Sequence, residues 1–190
     1  MTSCKKAVRE TPPLEPPVTP ALSKSVVPPQ DETLADIPFA GVLSDATLEI
    51  PAEISKITAP MKVDDYRGVS YVTVPESEAG ENFYAAKTGL AEFRFKMETD
   101  GEVWVWFRRW WDSSCADMFY FSIGDARATD GSIVWIEFRA TPENFRQWTW
   151  SRARRPIKLP AGDHVIRLTN GNDGWRVDTV MLTRDPGVSP

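Results

Sequence analysis

The chain has 190 residues, 42% hydrophobic and 26% charged, a balance that suits a globular domain able to bury its own core. Its formal net charge is −5 with one histidine and two cysteines. An acidic chain without a long basic stripe argues against nucleic acid as a partner, one His with two Cys offers no zinc-ligand spacing, and no apolar run reaches the roughly 18 residues of a membrane-spanning helix.

Seven of the 16 prolines fall within the first thirty residues. Residues 1–34 therefore read as a disordered, Pro-rich linker, in which Thr11–Pro20 and Val26–Gln30 are stiff, extended spacer sequence. The first thirty residues carry four basic and two acidic side chains, which leaves −7 on the remainder. Met1-Thr-Ser-Cys4 resembles the end of a bacterial lipoprotein signal, where a small residue precedes a lipidated Cys and polar residues follow. On that reading Cys4 is a lipid anchor, the only membrane contact expected, and the protein sits outside the cytoplasm on a bacterial cell surface or in the periplasm. A chance terminal Cys is the competing reading.

Residues 45–190 form the domain, and they read as β throughout. Thr47–Ile50 opens it, with Pro51 confining that strand to an edge. Ser70–Val74 alternates and stops at Pro75, and residues 76–82 form a polar loop. Ala91–Met97 alternates cleanly, with Phe93, Phe95 and Met97 on one face and Glu92, Arg94 and Lys96 on the other. Asp100-Gly101 is a hairpin turn signal. Glu102–Arg108 is apolar on both faces, so this strand is either covered on both sides or has one face in a binding site. Four of the eight tryptophans lie within 104–111. Trp104 and Trp106 share a face and are expected in the core, whereas the adjacent Trp110 and Trp111 point to opposite sides, so only one of them can face a ligand.

Met118–Ile123, Ile133–Phe138, Trp148–Trp150, Pro156–Leu159, His164–Leu168 and Arg176–Leu182 are the remaining strands. No helix longer than a turn or two is evident; Pro142–Arg146 is the best short candidate. Cys115 reads as a half-buried loop or strand-entry residue rather than a nucleophile. The pattern predicts an all-β jelly-roll sandwich of about 8–10 antiparallel strands.

In order along the chain stand Pro51-Ala-Glu53, Ala59-Pro-Met61, Gly101 through Arg108, Asp117-Met-Phe-Tyr120, Trp148-Thr-Trp150, Leu159 through His164 and Val177-Asp178-Thr-Val-Met-Leu-Thr183. Together these segments resemble the carbohydrate-binding modules of the galactose-binding-like β-sandwich type, near families six and thirty-five. The resemblance covers most of residues 47–186 and implies non-catalytic binding of a polysaccharide or other glycan.

In those families the first strand commonly reads Glu-Ala-Glu and helps hold a structural Ca²⁺ with an Asp of the last strand. Here Pro51 replaces the first Glu, leaving Glu53 and Asp178 at the matching positions and a weakened calcium site as the implied cofactor. The resemblance also puts the glycan site among loops at one end of the sandwich, here about 78–89, 109–116 and 170–176. These supply Tyr84, Trp110, Trp111, Asp112, Asn170, Asn172 and Trp175. Aromatic faces would pack on a pyranose ring while the polar groups read its hydroxyls.

Catalysis is disfavoured. His164 follows a Gly turn as a strand-edge residue, and neither a nucleophile elbow nor a phosphate-binding Gly loop is present. Asp112 and Asp173 lie in suitable loops for glycosidase chemistry, but nothing singles them out. The basic run Arg152–Lys158 reads as a solvated loop, with docking of an acidic polysaccharide as the alternative. The same aromatic loop surface could instead serve a structural or adhesion domain through protein contacts.

Overall fold

The computed structural model describes residues 34–75, 89–113, 116–139 and 145–190, which belong to one compact unit, Leu34–Pro190. Its strands are β1 (Phe39–Leu43), β2 (Thr47–Pro51), β3 (Lys56–Thr58), β4 (Lys62–Tyr66), β5 (Val69–Thr73), β6 (Leu90–Met97), β7 (Gly101–Trp110), β8 (Met118–Ile123), β9 (Ile136–Arg139), β10 (Thr149–Arg152), β11 (Ile157–Leu159), β12 (Gly162–Asn170) and β13 (Arg176–Thr183). Cys4, Tyr84, Cys115 and the 142–144 part of the suggested helical turn lie outside the described residues.

Two sheets face each other. The first runs β1-β6-β12-β8-β9, with β3 following β1 along the edge of β6. The second runs β10-β7-β13-β5-β4, with β11 sharing the β7 edge with β10 and β2 sharing the β13 edge with β5. Among the described residues the strands pair antiparallel except β1 with β6, and an isolated parallel bridge joins Trp111 to Phe145. The parallel strand lies before residue 45, so the folded unit takes in more chain than turn signals alone delimit. Pro51 ends β2, which among the described residues pairs with β13 alone, in keeping with an edge strand.

Period-two alternation decides the core. β6 buries Phe93, Phe95 and Met97, and β7 buries Val103, Val105 and Phe107. Phe107 meets Phe119, Phe121 and Phe138 edge-on at 5.1, 5.1 and 4.8 Å, which sets an aromatic centre between the sheets. Each such ring contributes about 3–5 kcal/mol by the cost of truncation to Ala.

The outer face of β7 then follows by parity. Trp104 and Trp106 stand there, half-buried, rather than in the core. The Arg152 guanidinium covers them, 4.3 Å from the Trp104 ring and 5.3 Å from Trp106. The both-faces-apolar pattern of β7 thus reflects a core face and an arginine-capped outer face.

Candidate functional site

A field of aromatic rings occupies the outer face of the second sheet near the end of β7. Trp110 closes β7, and Trp148 immediately precedes β10, whose Thr149 pairs with Arg109. Their rings meet edge-on at 5.8 Å, and Trp148 lies 6.0 Å from Tyr71 of β5. Tyr66 joins from β4 at 5.6 Å from Trp110. It is delivered there by the two-residue hairpin Arg67-Gly68, where φ is +57° and +80°. Both turn residues adopt the left-handed region that matches the strand twist, and the Asp65 side chain accepts the Gly68 N–H at 3.0 Å.

Arg176 projects into this field from the start of β13, opposite Trp110. Its guanidinium sits 5.1 Å from the Tyr66 and Tyr71 rings and 5.5 Å from Trp110. It makes no ion pair among the described residues. Burial raises the Tyr71 hydroxyl above its usual pKa, with Arg176 pulling the other way. Trp110, Trp148, Tyr66 and Arg176 are each half-buried, so part of each side chain remains in solvent, although the Trp110 N–H is buried.

The sequence-predicted residues divide. Trp110 and Trp111 do point to opposite sides, and only Trp110 reaches the surface. Trp111 is 0% exposed and packs on Phe119 at 5.6 Å; Trp175 is also 0% exposed, 4.9 Å from Phe119, with its N–H donated to Asn170 Oδ1 at 3.0 Å. Neither can offer a face to a sugar, so both are core residues and not platform residues. Their positions next to loops misled, because inward parity continues through the strand ends.

The polar predictions fall at a different point of the same end. Asn172, nearly buried, donates its amide to Asp117 at 3.0 Å, and its own carbonyl Oδ1 has no partner among the described residues. Burial raises the Asp117 carboxyl, partly offset by Arg139, by a backbone N–H and by the Asn172 bond. Asp112 is half-buried, with Arg146 Nε 3.7 Å from its carboxylate.

The calcium expectation meets an arginine. Asp178 sits on β13 where the register shifts opposite Arg108 and Arg109, a bulge that re-aims its side chain. The carboxylate is 5% exposed, and Arg108 binds its Oδ2 at 3.0 Å. Burial raises the Asp178 pKa, Arg108 opposes this, and Glu53 adds a smaller upward push. Glu53 is exposed, Asp178 Oδ1 is unpartnered, and no group of three His, Cys, Asp or Glu side chains gathers anywhere among the described residues. Ca²⁺ needs six to eight oxygens. Backbone carbonyls and waters can supply most of these, but of the two expected carboxylates Asp178 is already engaged by a guanidinium.

Tyr66, Tyr71, Trp148 and Arg176 were not among the site residues expected from sequence, although Trp148 lies in a segment that carries the family resemblance. Arg67-Gly68 between two alternating segments was the available signal for the hairpin that presents Tyr66. It is weak because Arg seldom adopts positive φ.

No family model matches the chain, and no curated protein does. Solved structures do. A family 35 carbohydrate-binding module from Clostridium thermocellum aligns over 73% of this chain and 98% of its own, at 20% identity and a TM-score of 0.51. The C-terminal family 6 module of a laminarinase from Zobellia galactanivorans aligns over 72% and 98%, at 16% identity and 0.51. The Podospora anserina β-(1,4)-mannanase with a family 35 module aligns over 77% of this chain but 29% of its own, at 18% identity and 0.53. At such identities the likeness shows the fold, the galactose-binding-like β-sandwich of family 6 and family 35 carbohydrate-binding modules.

Proposed function

We propose that this chain is a non-catalytic glycan-binding module, and that its contact surface is the outer sheet face bearing Tyr66, Trp110, Trp148 and Arg176. The observation that carries the reading is the Arg176 guanidinium held among three rings with no ion-pair partner among the described residues. Aromatic rings supply the stacking surface for the apolar face of a pyranose. A fixed guanidinium supplies donors for hydroxyl or carboxylate oxygens without adding chemistry. The shared fold with carbohydrate-binding modules supports the same reading.

The site differs from the loop platform expected from sequence. Trp110 passes from one to the other, while Asp112 and Asn172 remain as a polar margin at the sandwich end. The proposal extends to the chain's placement: Cys4 would carry the lipid, and residues 1–34 would hold the domain off a bacterial surface.

The test is a titration of the chain with soluble mannans, xylans, β-glucans and uronate polymers, followed by tryptophan fluorescence. A saturable change with one of them, lost in Trp110→Ala and in Trp148→Ala, is the expected result. A blank panel, or mutants that bind as well as the parent, would overturn the assignment and favour a protein-contact role for this face. The intact mass of the native protein tests the anchor, since an unmodified Cys4 removes it.

A further inference from the structure

The basic run Arg152–Lys158 has no role in the aromatic face, and the structure gives it one. Strand β9 is the last strand of the first sheet, and β10 and β11 form the outer edge of the second. Between these two edges opens a cleft of about 720 Å³. We infer that this cleft binds an amphipathic anion, a molecule with an apolar body and a carboxylate or sulfonate head.

The floor is fixed and apolar. Phe121 and Phe138 are buried and locked against Phe107 at 5.1 and 4.8 Å, so the floor belongs to the rigid core. Ile136, 37% exposed, and the half-buried Ile157 extend it toward the mouth. The volume lies within the roughly 300–1,000 Å³ of small-molecule sites.

Donors dominate the polar lining. Ser151 Oγ already accepts two bonds from the buried Arg109, from Nε at 3.0 Å and Nη2 at 2.7 Å. With its lone pairs so engaged, the hydroxyl is left to donate. Arg154 and Arg155 are exposed at the rim and make no ion pair or hydrogen bond among the described residues. Arg152 is occupied by the Pro186 carbonyl at 2.9 Å and by the two indoles. The lining's one acid, Glu137, is engaged by Arg139 at 2.9 Å. A neutral apolar molecule would gain nothing from these donors, and a small hydrophilic anion would leave the phenylalanine floor wet. A ligand joining both characters satisfies both.

The probe is sodium decanoate, kept below its micelle concentration and titrated calorimetrically into the full chain. One saturable site is expected. Arg154→Ala/Arg155→Ala should weaken it about tenfold, as loss of charge-assisted contacts at an exposed rim does. Ile136→Asp should block it, and decanol should bind at least tenfold more weakly. Both sets of substitutions alter exposed side chains, and unchanged melting would verify the fold. Non-saturable heats, equal binding of decanol, or variants that bind like the parent would overturn the inference. The aromatic face is tested separately: Trp110→Ala should leave decanoate binding intact, and Arg154→Ala/Arg155→Ala should leave any glycan response intact.

Discussion

Trp175→Phe separates a core indole from a sugar platform. The Trp175 ring is wholly buried against Phe119, and its N–H is donated to Asn170 Oδ1. Phenylalanine keeps the six-membered ring and most of the packing. It removes the N–H donor and strands a buried carbonyl, a loss of about 1–3 kcal/mol. The vacated part of the indole adds about 1 kcal/mol of cavity cost. The sum, about 2–4 kcal/mol, corresponds to a fall in Tm of roughly 5–15 °C for a domain of this size. Thermal unfolding by near-ultraviolet circular dichroism reads it directly. Asn170→Ala alone should also destabilise, and the double mutant should lose less than the two singles together, because the pair is one interaction. A Trp175→Phe protein with parental Tm and no glycan response would refute the reasoning, since it would make Trp175 a ligand contact.

Trp110→Ala should behave in the opposite way, with glycan affinity reduced at least tenfold and Tm lowered far less than by Trp175→Phe, checked by titration and melting on one preparation. Asp117→Asn preserves an acceptor for Asn172 while removing a carboxylate whose folded pKa is raised by burial. A raised acid pKa means that the folded state holds its proton more tightly than the unfolded chain. Stability at this group is therefore lost as pH rises from the ordinary carboxylate value through the folded one. The Asn variant should accordingly be more stable than the parent at pH 7 and lose that advantage at pH 3, measured by urea unfolding. Arg108→Met strands the nearly buried Asp178 carboxylate and should cost about 1–3 kcal/mol, discounted for the partial exposure of Arg108. A chelator should leave the parent Tm unchanged, and a fall on chelation reversed by Ca²⁺ would show that Asp178 has a metal partner after all.

The all-β character was legible because it rests on local chemistry. Ala91–Met97 can bury only one face if it is a strand, and β6 buries that face. Asp100-Gly101 marks the turn between β6 and β7, and Pro51 marks an edge. The opposite orientation of Trp110 and Trp111 follows from the pleat alone. The galactose-binding-like sandwich was likewise readable from the order of its segments, although no single segment was specific.

The site itself was not legible in the same way. Trp111, Trp175, Trp104 and Trp106 are indistinguishable in composition from Trp110, and only the second layer determines which face is covered. Tyr66 and Trp148 lie more than eighty residues apart in sequence and converge on Trp110 through β4–β5 and β10 pairing. Arg108 meets Asp178 only because a bulge turns β13 at that residue, a two-against-one register that no local pattern announces. Likewise the arginines of the basic run acquire a hydrophobic floor only where two sheet edges stop short of each other. Most of the strands, their alternation and the aromatic content could be read from the chain, since these depend on neighbours one or two residues away, but the short or edge strands β1, β3 and β4 could not. Tertiary structure decided which indoles are core, which cation holds Asp178 and where a ligand can enter, since each depends on contacts between segments that are distant in the chain.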